Sequence, residues 1–218
     1  MSKENMKTVE VYQKKAGVYL ATTIEHDRLD PSKAKKKRER LQELIKRSFY
    51  SLPHNAKVFE IGSGDGANAK YIESLGFKVT ASDTADAFLE AIQKQGLNTI
   101  KFNVLEDDFK EKYNGIFCWR VFVHFTRDDA NEIIQKVYDN LEDNGIFIFN
   151  AINRETKSID NEWVDFSNEY HMGADRYYNY FCKEELDNII AQTKFKIQDF
   201  HEEGGEKNNK WLVYVLKK

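Results

Sequence analysis

The chain has 218 residues, of which 41% are apolar and 32% charged, with a formal net charge of −3. That is an ordinary globular balance with ample length for one domain, here residues 1–218, and it lacks the basic excess of a dedicated nucleic-acid binder. No apolar leader core follows Met1, no run reaches the ~20 apolar residues of a membrane helix, and Cys118 and Cys182 make no disulfide framework, so a cytoplasmic protein with reduced thiols is expected.

In chain order, residues 8–25 carry a weak helical stripe of Val9, Tyr12, Ala16, Tyr19 and Leu20. Asp30-Pro31-Ser32 is a helix start, with an acceptor at the N-cap and proline at the first helical position. That helix runs to about Ser51, and its basic run from Lys33 to Arg40 reads as a solvated face. Strands are expected at Lys57–Ile61, Phe77–Ser82, Thr99–Asn103, Tyr113–Trp119 and Gly145–Ile152. Helices are expected between them at Ala67–Leu75, Ala85–Gln95 and Asp128–Leu141. A last helix at Lys183–Thr193 precedes two strands, Phe195–Glu202 and Lys210–Lys217, joined as a hairpin. Alternation of strand and helix implies a parallel α/β sheet with right-handed crossovers, and the closing hairpin turns the final strand antiparallel.

The chemistry concentrates in Val58–Asp83, a strand, a glycine loop, a helix and a second strand. Gly62, Gly64 and Ala67 fit the dinucleotide pattern G-x-G-x-x-G/A, whereas Gly62, Gly64 and Gly66 fit G-x-G-x-G. Glu60 separates the two. A carboxylate at the end of a buried strand is costly beside a pyrophosphate, but it suits a ligand that brings an amino group. Asp83, at the end of the second strand, stands where an acceptor holds ribose hydroxyls.

Glu60-Ile61-Gly62-Ser63-Gly64-Asp65-Gly66 followed by Asp83 resembles the cofactor motif of class I S-adenosylmethionine-dependent methyltransferases. The segment Cys118-Trp119-Arg120-Val121-Phe122-Val123-His124 resembles the stretch after strand four in the ubiquinone-biosynthesis-like superfamily, and Tyr12-x-x-x-Ala16-x-x-Tyr19 resembles its N-terminal lid. The resemblance implies a Rossmann-like three-layer sandwich, with a mostly parallel seven-stranded sheet, an antiparallel C-terminal strand and an N-terminal helical lid over residues 1–55. It implies S-adenosyl-L-methionine as cofactor, leaving S-adenosyl-L-homocysteine. The contacts it implies are Tyr12, Tyr19, Glu60, Gly62, Ser63, Gly64, Asp83, Thr84, Asn103, Val104, Leu105 and Cys118. Asn103 departs from the family's usual Asp, although its carbonyl can still accept a hydrogen bond from the adenine amino group. Trp119, Arg120 and His124 would approach the acceptor. No metal is called for.

Residues 153–181 have no clear period and are rich in aromatics, which marks a substrate lid rather than a linker. Tyr170, His171 and Arg176 are its candidate substrate contacts; the other reading is a sheet-edge cover at a homodimer interface. His124 has three readings: general base, substrate orienter or structural imidazole. Tyr19 would place an oxygen near the methyl group. The expected reaction is direct in-line methyl transfer to an O or N atom of a small molecule. Methylation of RNA or protein, and non-catalytic binding of the cofactor, are the competing readings.

Overall fold

The computed structural model describes residues 1–165, 172–204 and 210–218, apart from the side chains of 24–28 and 156. Its strands are β1 (Lys57–Ile61), β2 (Lys78–Asp83), β3 (Asn98–Lys101), β4 (Tyr113–Cys118), β5 (Leu141–Asn153), β6 (Asn161–Val164), β7 (Arg176–Phe181), β8 (Lys196–Glu203) and β9 (Trp211–Lys217). The helices are α1 (Lys3–Leu29), α2 (Pro31–Phe49), α3 (Ala67–Ser74), α4 (Asp86–Gln93), α5 (Arg127–Asn140) and α6 (Lys183–Ile190).

The main sheet runs β3-β2-β1-β4-β5-β9-β8. Strands β1 to β5 pair in parallel, and β9 lies antiparallel between β5 and β8, as the closing hairpin requires. Alternate residues of β5 feed opposite layers. Phe147 and Phe149 pack with Ile133, Ile134 and Val137 of α5 and Leu186 of α6. Ile146 and Ile148 pack with Leu44 and Ile45 of α2 and Ile72 of α3. Each such buried side chain contributes about 1.5–3 kcal/mol relative to exposure, so covering both faces makes this strand the centre of the core.

Local signals set the helix starts. Asp30 caps α2 by accepting from the Lys33 N–H. Thr126 and Asp129 form a reciprocal capping box at α5, which satisfies two N–H groups otherwise left without partners. The helix ends at Asn140 and β5 pairing begins at once, with Asn144 in the left-handed region at φ 63°, so the strand starts earlier than the Gly145 signal implied.

Residues 153–181 differ from the irregular segment expected. They include a hairpin, β6 antiparallel to β7, so the described strands number nine rather than seven. Ile152 pairs with Trp211 on one side and Tyr180 on the other, and β7 therefore stands just past the end of β4. The hairpin thus rises over the carboxyl edge of the sheet. Helix α1 is longer than the stripe suggested. It lies against β7 and α4, and Tyr12, Ala16 and Tyr19 pack on Ala85 and Phe88. Among the described residues no helix is long and apolar enough to cross a membrane.

Candidate active site at the carboxyl edge

The loop after β1 is built by three left-handed glycines, Gly62 (φ 69°), Gly64 (φ 55°) and Gly66 (φ 80°). A Cβ on Gly62 would lie 2.4 Å from Val121 Cγ2, so glycine is what lets this loop and the turn after β4 meet. On Gly64 a Cβ would meet no atom within 4 Å, so that side of the loop is open. Ser63 donates its N–H to the Ser82 carbonyl at 2.7 Å, and its hydroxyl accepts from the Ser82 N–H at 3.1 Å. Asp83 accepts from the Gly64 N–H at 3.0 Å and the Ala85 N–H at 3.1 Å. The ends of β1 and β2 are thereby joined into one rigid edge, with half-buried Thr84 next to it.

Glu60 is 1% exposed, and its Oε2 has no hydrogen-bond partner. Burial pushes its carboxyl up to about 8, against the opposing hydrogen bonds of Ser63 and Asn68, with Asp65 and Asp83 adding repulsion. Burial also raises Asp83, to about 6. Two buried acids beside an open glycine loop form a site short of positive charge. A nucleoside that carries an ammonium and ribose hydroxyls supplies that charge, along with donors for both acids, so these residues fit S-adenosylmethionine.

The other expected contacts lie around the same edge. The Asn103 side-chain carbonyl accepts from the Leu105 N–H at 3.1 Å and so shapes the turn after β3. Val104 and Leu105 are buried in the cluster that contains Ile61 and Cys118. The Cys118 thiol is fully buried and raised by desolvation, then by Glu60, which suits a packing role.

Past β4, His124 is buried in a short 3-10 turn, Phe122–His124. Its Nδ1 faces the Tyr177 carbonyl at 2.7 Å, and a carbonyl only accepts, so Nδ1 carries the proton. Nε2 then accepts from the Tyr12 hydroxyl at 2.9 Å, and Tyr12 in turn accepts from Arg176 Nη1 at 3.1 Å. Desolvation, then the Arg176 charge, holds the His124 imidazolium down to about 3, against the opposing bond to Tyr177. Arg176 is 1% exposed between the rings of Tyr12 and Tyr178.

The structure therefore brings Tyr12, His124 and Arg176 together, with Tyr19 next to them at 6.2 Å from the Tyr12 ring. Trp119 stacks on Phe117 within the α2/α3 side of the core. Arg120, with a left-handed φ of 60°, donates its N–H to Asn150 and sets its guanidinium over Trp211. Tyr170 and His171 lie outside the described residues. Sequence reasoning missed Asn5 and Thr8, which bind the His124 carbonyl and the Tyr177 N–H. With Tyr12 they form an i, i+3, i+7 polar stripe that was open to reading. It also missed Asp165, the carboxylate 3.7 Å from Arg176. Among the described residues no group of three or more His, Cys, Asp or Glu could hold a metal.

A parallel sheet with an inserted antiparallel strand, and an acid-bearing glycine loop at its carboxyl edge, define a class I methyltransferase. Residues 34–199 match the methyltransferase-domain family, more than half of the sequence, and the chain belongs to that family of S-adenosylmethionine-dependent enzymes. It is similar to a ubiquinone biosynthesis O-methyltransferase from Rickettsia canadensis, 28% identical over 129 residues, covering 55% of this chain and 53% of the relative. It is also similar to a probable S-adenosyl-L-methionine-dependent methyltransferase from Haemophilus influenzae, 31% identical over 90 residues, covering 38% and 32%. The chain thus spans about half the length of the first of these curated relatives and a third of the second. Among solved structures, a Pyrococcus horikoshii protein aligns with a TM-score of 0.67 at 18% identity, covering 88% of this chain and 98% of that one. Magnesium protoporphyrin IX methyltransferase from Synechocystis, solved with S-adenosylmethionine, aligns at 0.64 and 11% identity, covering 85% and 79%. At these identities the structural likeness establishes the fold alone.

Proposed function

We propose that this enzyme methylates an O or N atom of a small molecule by direct in-line displacement, within a single domain whose lids are residues 1–55 and 153–181. The observation that carries this reading is the joining of half-buried Tyr12 of α1 to buried His124 and buried Arg176 of β7. A site roofed by two lid elements admits a small acceptor more readily than a folded RNA or protein. The curated relatives named as ubiquinone biosynthesis O-methyltransferases support the same substrate class.

In this reading Glu60 and the Gly62–Gly64 loop hold the amino-acid end of the cofactor. Asp83 and Thr84 hold the ribose, and Asn103 to Leu105 border the base, with Cys118 contributing through its backbone. S-adenosylmethionine supplies an electrophilic methyl group when bound. The protein's own work is to align the acceptor and exclude water. Positioning of this kind accounts for up to ~7–11 kcal/mol of barrier lowering. Tyr12 and Tyr19 close the α1 side, and Arg176 closes the hairpin side. His124, with both ring nitrogens engaged, serves as an orienting group rather than a base.

Calorimetry with S-adenosylmethionine and S-adenosylhomocysteine, followed by transfer of a labelled methyl group to an ultrafiltered metabolite extract, tests the proposal. Binding of both nucleosides and label in small products is the expected result. Label confined to macromolecules would overturn the substrate class, and absence of nucleoside binding would overturn the site.

A further inference from the structure

From Ile146 to Ile152 every residue of β5 is buried, and Asn150, 1% exposed, is the one polar side chain in that run. Alternation along the strand puts it on the face that Ile146 and Ile148 turn toward α2 and α3. A primary amide in such a place costs free energy unless it is bonded. Asn150 has a defined partner. Pairing between β4 and β5 ends with Cys118 opposite Phe149, and one residue further along β5 the Asn150 Oδ1 accepts the Arg120 N–H at 2.6 Å. A side-chain oxygen thus takes the place of the next ladder carbonyl.

Arg120 is the residue that needs this bond. Among the described residues three that are not glycine have a positive φ: Asn55 (60°), Arg120 (60°) and Asn144 (63°). Asparagine tolerates the left-handed region because its short side chain bonds locally. Arginine has no such relief, and its Cβ crowds the carbonyl that follows. Left to itself, an arginine here favours a right-handed turn by about tenfold. Backbone held in an unfavourable region beside a ligand site is where a functional cause is to be sought. Val121 comes next in the chain, and its Cγ2 fills the space where a Gly62 Cβ would stand. The Val121 carbonyl then accepts the His124 N–H at 2.9 Å, which opens the 3-10 turn whose imidazole meets Tyr12. One backbone angle therefore sets both the wall behind the glycine loop and the start of the turn that reaches α1.

We propose that Asn150 is a positioning residue for cofactor binding: it holds Arg120 left-handed, so that Val121 braces the Gly62–Gly64 loop from behind. This rests on the cofactor site proposed above and adds to it a residue that acts through the turn after β4. Without the Asn150 oxygen the turn relaxes toward negative φ and Val121 moves off Gly62. The loop then loses its support, and cofactor affinity falls although the domain stays folded.

Calorimetry with S-adenosylhomocysteine tests this, at a temperature where thermal unfolding shows each variant to be folded. Asn150→Leu nearly keeps the size of the side chain and removes the acceptor, and it should bind about tenfold more weakly than wild type. A second substitution at Arg120 separates backbone from side chain. Arg120→Gly added to Asn150→Leu removes the penalty on the left-handed region, so affinity should return to within about threefold of wild type. Arg120→Ala added to Asn150→Leu deletes the same guanidinium but keeps the Cβ, so binding should stay about tenfold weak. Where Asn150→Leu does not fold, Asn150→Ala with the same two partners is read in the same way. An asparagine that only stabilises the fold gives another pattern: a lower unfolding temperature with unchanged affinity. Unchanged affinity in the Asn150 variant, or equal recovery with Arg120→Gly and Arg120→Ala, would overturn the inference and leave the cofactor site intact. Failure of the wild-type protein to bind the nucleoside would overturn the site and the inference together.

Discussion

Tyr12 of α1 donates its hydroxyl to Nε2 of His124 across 2.9 Å, which ties this N-terminal helix to the turn after β4. The same oxygen accepts from Arg176 of β7, so three elements far apart in sequence meet at one atom. Removing it with Tyr12→Phe leaves a buried imidazole nitrogen without its donor. The expected cost is ~1–3 kcal/mol, the penalty for a buried polar group left unpaired. Urea unfolding of the two proteins measures it, and equal midpoints and slopes would rule out a structural role for the relay. Hydrogen exchange of α1 should rise in the same variant, since the helix would lose one of the side-chain bonds that fasten it alongside those of Asn5, Thr8 and Gln13.

Glu60 predicts a pH dependence with a definite sign. Its folded value, about 8, is above the ordinary 4.5. Folding therefore favours the protonated carboxyl. That contribution is complete below about 4.5 and is lost as pH rises through about 8, and Asp83, raised to about 6, adds a loss of the same sign at lower pH. Wild type should lose stability relative to Glu60→Gln between these limits. A bound ammonium group favours the carboxylate, so S-adenosylmethionine binding near pH 7 should release a proton. Calorimetry in two buffers of different ionisation enthalpy detects this release, and Glu60→Gln should abolish it. Identical buffer dependence in both proteins would contradict the assignment.

Much of this edge could be read from residue types. Glu60, the three glycines and Asp83 sit within one strand-loop-helix-strand unit, and local spacing alone places them together. Strand β9 was legible because Gly204 and Gly205 divide two alternating runs. The hairpin β6–β7 was not. Tyr177, Tyr178, Tyr180 and Phe181 are all buried, so β7 shows no alternation, and an aromatic run without a period reads as irregular. The meeting of Tyr12, His124 and Arg176 was equally hidden. Sequence separations of 112 and 164 residues leave no local trace of contact. Trp119 and Arg120 have other contacts in the structure, with Phe117 and Trp211. Their neighbourhood to His124 in sequence suggested a shared direction, but a residue in the left-handed region turns the chain between them.

The two glycines that open the loop should respond differently to alanine. In Gly62→Ala the new Cβ would meet Val121 Cγ2 at 2.4 Å, in addition to strain at φ 69°, so the protein itself should lose ~1–3 kcal/mol through overpacking. In Gly64→Ala the new Cβ meets no protein atom, leaving mainly the cost of a left-handed conformation, ~1 kcal/mol. Cofactor binding should show the reverse order of selectivity, because in the proposed site a ligand would approach on the open side of Gly64. Gly64→Val and Asp83→Ala should remove most S-adenosylmethionine affinity with the fold retained. Calorimetry paired with thermal unfolding separates the effects, and full affinity in both Gly64→Val and Asp83→Ala would refute the site.

His124 predicts the acid limb of stability. Its folded value, about 3, lies below the ordinary 6.5, because burial and Arg176 disfavour the imidazolium. The folded state thus binds fewer protons than the unfolded chain between these limits. Its contribution is complete above about 6.5 and is lost progressively as pH falls toward about 3, opposite in sign to that of Glu60. Protonation would also convert Nε2 from acceptor to donor, setting it against a tyrosine hydroxyl already directed at it. His124→Gln should flatten this limb, whereas Glu60→Gln should steepen the rise with pH, because it removes a loss of opposite sign over the overlapping range. Urea midpoints taken from pH 4 to pH 7 test the point, and parallel curves for wild type and His124→Gln would show that the imidazole is not held neutral by the fold.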